Sequence, residues 1–148
     1  MEWSIKKNRV IEEVEKVVAY IAAKRDNGQE FEKLNIVEEN EEILNSWWEE
    51  AKVLLCTRLR RFFNGAQEKE LVYTVDLKLT EDFEEKLKEG IGTAIERFFV
   101  MFIAAKWLQL TGTEEAQNYA VEAGTMLENV KELVEYKKSR TKRRLKPF

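Results

Sequence analysis

The sequence has 148 residues, 44% of them hydrophobic and 36% charged, with one cysteine, one proline and no histidine. That composition suits one domain with a buried core, and only seven glycines and prolines together argue against collagen-like, disordered and loop-rich classes. The lack of histidine removes Ser-His-Asp and Cys-His catalysis, histidine zinc sites and a histidine pH switch.

The first periodic segment, 5–24, sets Val10, Ile11, Val14, Val17, Val18 and Ile21 on one stripe, which predicts a helix ending at Arg25-Asp26-Asn27-Gly28. Residues 29–37 read as a connector without an assigned structure. A second helix is expected to begin between Val37 and Asn40 and to run to Phe63. Its apolar positions (Ile43, Leu44, Trp47, Trp48, Ala51, Leu54, Leu55, Leu59, Phe62, Phe63) make a stripe wide enough to be buried on more than one side. Asn64-Gly65 then ends it.

From Glu70 to Thr80 the period changes to two, with Leu71, Tyr73, Val75, Leu77 and Leu79 alternating against Val72, Thr74, Asp76 and Lys78. This predicts a strand over 71–79. No second strand is legible, so its unpaired backbone groups are expected to meet the 29–37 segment or another chain.

Thr80, Glu81 and Asp82 make a helix start, and the third helix is expected to continue to Leu110. Its centre, 98–105, is apolar all round, which makes it the element the others pack around; at eight residues it is too short to span a bilayer, which takes about twenty. Gly90 and Gly92 suggest a kink or a close crossing in its first half. Thr113 caps the fourth helix, whose seam is Ala116, Tyr119, Ala120, Ala123, Leu127, Val130 and Val134. Phe98, Phe102, Leu108, Leu127 and Val130 are expected in the core. Helices near thirty residues would be about 45 Å long, against a globule diameter near 38 Å, so the molecule is either kinked or elongated.

After Tyr136 come seven basic residues (Lys137, Lys138, Arg140, Lys142, Arg143, Arg144, Lys146) and no acid, so the whole chain's net −3 divides into a body of −10 and a basic tail. The fold class is therefore mainly α: an elongated four-helix bundle over 1–136 with one strand, followed by a basic arm over 137–148. Three readings of the arm stand side by side. It is a solvated terminus, a weak non-specific contact to nucleic acid, or a docking arm steered by charge with Leu145 and Phe148 as anchors.

Chemistry-bearing residues are sparse. Cys56 lies in an apolar helical run and reads as a small hydrophobe. The acidic clusters Glu38, Glu39, Glu41 and Glu42, then Glu49 and Glu50, read as solvated helix faces, because a di-iron bundle needs Glu-x-x-His pairs. Gly90-Ile91-Gly92 lacks the third glycine of a dinucleotide fold. No nucleophile has a base, so an enzyme, a cofactor and a metal site are not expected. Trp47 and Trp48 point about 100° apart on a helix. Either the helix is sandwiched between two layers of its own fold, or one indole belongs to an interface.

The segments Ile43-Leu44-Asn45-Ser46-Trp47-Trp48-Glu49-Glu50-Ala51, Tyr73-Thr74-Val75-Asp76-Leu77-Lys78-Leu79, 98–110 and Arg143-Arg144-Leu145-Lys146-Pro147-Phe148 resemble small helical structural proteins of tailed bacteriophages and prophages, of the head–tail connector or adaptor type. The resemblance implies a homo-oligomeric ring that contacts portal or neck proteins, located in the virion or the bacterial cytoplasm, with no membrane partner. The implied contact residues are Trp47, Trp48, Tyr73, Val75, Arg140, Lys142, Arg143, Arg144, Leu145, Lys146 and Phe148. The alternative is a small regulatory or nucleic-acid-binding helical module that uses the tail. Met1-Glu2-Trp3-Ser4 lacks an apolar signal segment, which agrees with synthesis and retention in a cytoplasm.

Overall fold

The computed structural model describes residues 1–24, 40–80, 83 and 85–136. In chain order these form strand β1 (Glu2–Lys6), helix α1 (Lys7–Lys24), helix α2 (Glu41–Arg58), strands β2 (Phe63–Lys69) and β3 (Val72–Leu77), a 3-10 turn (Glu85–Leu87), and helices α3 (Lys88–Leu110) and α4 (Ala116–Glu135). Among the described residues the fold is mainly helical, with four helices and one three-stranded antiparallel sheet of order β1-β3-β2. The 29–37 connector, the Gly28 stop, Glu38, Glu39 and the 137–148 arm lie outside the described residues.

Helix α3 is the hub. Buried side chains leave it in every direction, among them Ile91, Ile95, Phe98, Phe99, Ile103, Trp107 and Leu108, and α1, α2, α4 and β1 all pack on it. A helix without a broad polar face must be covered on most sides, and here other elements cover all but a strip that includes Phe102. At 23 residues α3 is the longest of the described helices, about 35 Å, so the length that argued for an elongated molecule is not reached. The helix starts later than Thr80 because Phe83 is buried and its backbone N–H closes a turn on the Thr80 carbonyl at 3.1 Å. Glu81 and Asp82 lie outside the described residues. Gly92 is a close approach to a strand: a Cβ there would lie 3.2 Å from Trp3 Cδ1, and the Trp3 indole donates to the Lys88 carbonyl at 2.8 Å. Gly90 has open space around it.

The expectation of one lone strand is overturned, because β3 is the centre of an internal sheet. Its period-two pattern holds, with Tyr73, Val75 and Leu77 buried, but both of its edges are taken by the chain itself. Val75 sits opposite Trp3 on β1 and Ala66 on β2, and Tyr73 sits opposite Ile5 and Glu68. Residues 2–6 leave the helical period early because Trp3 and Ile5 alternate inward while Glu2, Ser4 and Lys6 stay exposed. Helix α2 stops at Arg58, five residues short of Phe63, since the chain turns through Leu59 and enters β2. There Asn64 is an extra residue between the Phe63–Leu77 and Gly65–Asp76 pairs, a bulge at which Gly65 has φ 151° and the Asn64 amide donates to Asp76 Oδ2 at 2.8 Å. The Asn-Gly pair therefore bends a strand as well as following a helix.

Phe98, Leu108 and Val130 are buried as expected, whereas Phe102 and Leu127 are only partly buried. Both line a surface groove, Phe102 from α3 and Leu127 from α4, where the small side chains of α4 leave them open. Phe98→Ala should therefore cost about 3 to 5 kcal/mol and Phe102→Ala only about 1 to 2 kcal/mol in chemical denaturation. Equal losses would place Phe102 in the core.

Strands β2 and β3 are joined by Glu70 and Leu71, both at positive φ, 52° and 66°. Two such residues define the tight hairpin turn whose twist matches the strands, a turn that normally uses Asn-Gly. A bulky residue there costs about 1 kcal/mol or more. The Leu71 carbonyl compensates locally by accepting the Lys7 N–H at 2.9 Å, where α1 begins. Replacing Glu70-Leu71 by Asn-Gly should raise stability by about 1 kcal/mol, read as a shift of the urea midpoint without a change in slope.

Candidate interaction surface

Two places combine chemistry with accessibility. The first joins α2 to the β2–β3 hairpin. Trp48 is wholly buried, and its indole N–H donates to Glu68 Oε1 at 2.7 Å. The Lys52 ammonium, one turn along α2, reaches the same oxygen at 3.0 Å and Glu49 at 2.9 Å. Tyr73 stacks edge-on to Trp48, with centroids 6.3 Å apart, and Phe99 of α3 completes the group at 4.7 Å from Trp48. Lys7 and Lys52 lie over the Trp48 and Tyr73 rings at 5.8 and 5.3 Å.

Burial would raise the Glu68 carboxyl, but the hydrogen bonds from Trp48 and Lys52 and the charges of Lys52 and Lys7 outweigh it and hold its pKa below the ordinary value. Burial would lower Lys52, and its two glutamate partners reverse the sign and raise it. Burial raises the Tyr73 phenol and the Cys56 thiol, so neither is primed as a nucleophile near neutral pH. The cluster is a clamp that fixes the hairpin to α2.

The second place is a groove of about 530 Å³ floored by α3 and walled by α2 and α4. Phe98, Phe102 and Ala105 come from α3, Leu54 from α2, and Ala120, Ala123, Gly124 and Leu127 from α4. Two ion pairs hold these helices together: Lys106 of α3 to Glu50 of α2 at 3.3 Å, and Arg58 of α2 to Glu128 of α4 at 2.6 Å. Arg58 Nη2 donates to Glu128 Oε2 at 2.7 Å as well, so one guanidinium nitrogen is shared between both carboxylate oxygens. The Lys106 ammonium also sits over the Phe102 ring at 5.4 Å, which lets a cation share an apolar rim. Ala120 and Gly124 are exposed, so the small residues that bring α4 onto α3 also leave the groove open. Leu54, part of the wide apolar stripe of the second helix, is 38% exposed at the groove's edge.

The contact residues expected from sequence divide accordingly. Trp48, Tyr73 and Val75 meet inside the fold, at 0%, 5% and 1% exposure, and offer a partner no surface. Trp47 is partly buried and lies edge-on to Trp107 with centroids 6.3 Å apart, so both indoles of α2 serve its own fold on two sides. Arg140, Lys142, Arg143, Arg144, Leu145, Lys146 and Phe148 lie outside the described residues. Lys52, Glu68 and the groove wall were missed. The recurrence of Ala116, Ala120, Ala123 and Leu127 at helical spacing marks one wall, but small residues signal close packing as readily as an opening.

Among the described residues no group of three or more Cys, Asp or Glu side chains could hold a metal ion, and no helix is long and apolar enough to cross a membrane. No protein-family profile matches the sequence, and comparison with curated proteins and with solved structures gives no match.

The clamp predicts a pH effect of definite sign. A carboxyl whose folded pKa is depressed contributes stability that is complete above its unfolded value, near 4.5, and lost as pH falls through the lower folded value. Glu68→Gln should cost about 1 kcal/mol at pH 7, a partly exposed charge being screened, and the difference from wild type should vanish in acid below that range. A loss that stays constant from neutral pH into acid would show that the charge contributes nothing.

Proposed function

We propose that this chain is a non-catalytic structural subunit that works through protein–protein contacts, in the manner of the phage head–tail connector proteins that its sequence resembles. The observation that carries the reading is the open apolar groove between α2, α3 and α4, lined by Phe102, Leu127 and Leu54 and bordered by the polar side chains of Lys106, Gln109, Glu114 and Gln117. An apolar recess with a polar rim has the anatomy of a protein-docking site. Its occupant in this reading is the 137–148 arm of a neighbouring copy. Leu145 and Phe148 supply the apolar anchors, and the basic residues before them are drawn to a body carrying −10. Trp48, Tyr73 and Val75 take no part, being enclosed.

The test is the oligomeric state across a concentration series, by sedimentation or mass photometry. Wild-type protein should form rings or oligomers, alone or with portal-type partners, and Leu127→Glu in the groove or deletion of residues 143–148 should each abolish them. Leu127 is partly buried against the core, so Leu127→Glu should lose about 1 to 3 kcal/mol of stability, and both variants should still unfold in one cooperative transition. A protein that stays monomeric at all concentrations and with every such partner, or assembles unchanged in both variants, rules the reading out.

A further inference from the structure

The sheet has two outer edges, β1 and β2, and they differ. Strand β2 is broken by the bulge at Asn64, which twists an edge away from further pairing. Strand β1 carries no bulge and holds unbroken register with β3 over residues 2–6. The Leu77 N–H donates to the Met1 carbonyl and the Lys7 N–H to the Leu71 carbonyl, both at 2.9 Å. Antiparallel bonding alternates along a strand, so Trp3 and Ile5 also direct their backbone groups to β3, while those of Glu2 and Ser4 and the Lys6 N–H point away from it. No strand takes this outer edge among the described residues. A shallow recess of about 780 Å³ opens along it, between β1 and the start of α3, with Arg9, Lys88, Glu89 and Glu96 on its walls. A regular edge with room beside it is a template for another strand.

The side chains specify which strand fits. On its exposed face β1 carries Glu2, Ser4 and Lys6: an acid, a neutral centre and a base at spacing two. An antiparallel copy of the same strand, related by a two-fold axis through Ser4, sets Glu2 of each against Lys6 of the other and Ser4 against Ser4. On the inner face the same register sets Trp3 beside Ile5. Sliding the pairing by two residues in either direction loses both charge pairs, so one register is favoured. Neither Glu2 nor Lys6 has an ion-pair partner among the described residues. Asp76, opposite Glu2 on β3, is already held by the Met1 amine and the Asn64 amide.

We propose that β1 pairs antiparallel with β1 of a second copy of this chain, joining two three-stranded sheets into one of order β2-β3-β1-β1-β3-β2. Both partners use the same strand, so the interface is self-complementary and closes at a dimer. Backbone bonds hold the two edges together, and the two Glu2–Lys6 pairs set orientation and register. The interface is separate from the groove between α2, α3 and α4. Its dimer is the unit that remains when variants in the groove take larger assemblies apart.

The experiment is sedimentation equilibrium of the full chain and its variants up to about 0.5 mM. Glu2→Lys and Lys6→Glu should each weaken dimerisation about tenfold or more, because both charge pairs turn repulsive. An equimolar mixture of the two variants should recover wild-type affinity, since every acid in the mixed dimer again faces a base. Ser4→Pro should leave a folded monomer, because the N–H it removes points outward and serves no bond within the sheet. Should that variant melt early, the mixing experiment carries the readout alone. None of these substitutions touches the groove, so assembly through the groove adds equally to every sample. Three results would overturn the proposal: no dimer of the wild-type chain, dimerisation of the single charge variants equal to wild type, or a mixture that pairs no better than its components.

Discussion

Helix α3 carries apolar side chains around its whole circumference, and the rest of the fold is the means of keeping water from it. Helices α1, α2 and α4 cover three sides, and the sheet closes the start of the helix through Trp3, which lies on Gly92 and is tied to the Lys88 carbonyl. Covering a cylinder with other cylinders leaves gaps where the covering side chains are small. The groove at Ala120 and Gly124 is such a gap, and the part-covered Phe102 and Leu127 are its result.

Sequence periodicity revealed the helices well because each has one long-range task, to bury a stripe or, for α3, its entire surface. Val10, Val14, Val18 and Ile21 on α1 and Val130 and Val134 on α4 are all inside. The sheet was legible only at β3, where three buried residues alternate. Strand β1 has just Trp3 and Ile5 to announce it and runs into a helix without a glycine or proline between. Strand β2 carries Asn64, Gly65, Gln67, Glu68 and Lys69, residues typical of a loop, because as an edge strand it buries little. Its hairpin turn is made of Glu70 and Leu71, which give no turn signal at all.

The same limit applied to the sites. Tyr73 and Trp48 stood out by type, yet what decides their role is Glu68, twenty residues from Trp48, whose carboxylate receives the indole N–H and the Lys52 ammonium together. Pairings of this kind depend on the hairpin folding back over α2, a matter of tertiary geometry that no local period encodes. Charge was different: the split between an acidic body and a basic run is a property of the sequence itself.

The order of strands also sets a schedule for synthesis. The β2–β3 hairpin is local and can close as soon as Leu77 has left the ribosome, whereas the Ser4 and Thr74 hydroxyls that bond across β1 and β3 are 70 residues apart. Strand β1 emerges first and has no partner until the hairpin arrives, and a hairpin formed without β1 displays the inner edge of β3. Until β1 docks, that edge stays open to pairing, and closure by the chain's own β1, tethered 70 residues away, is what ends the exposure.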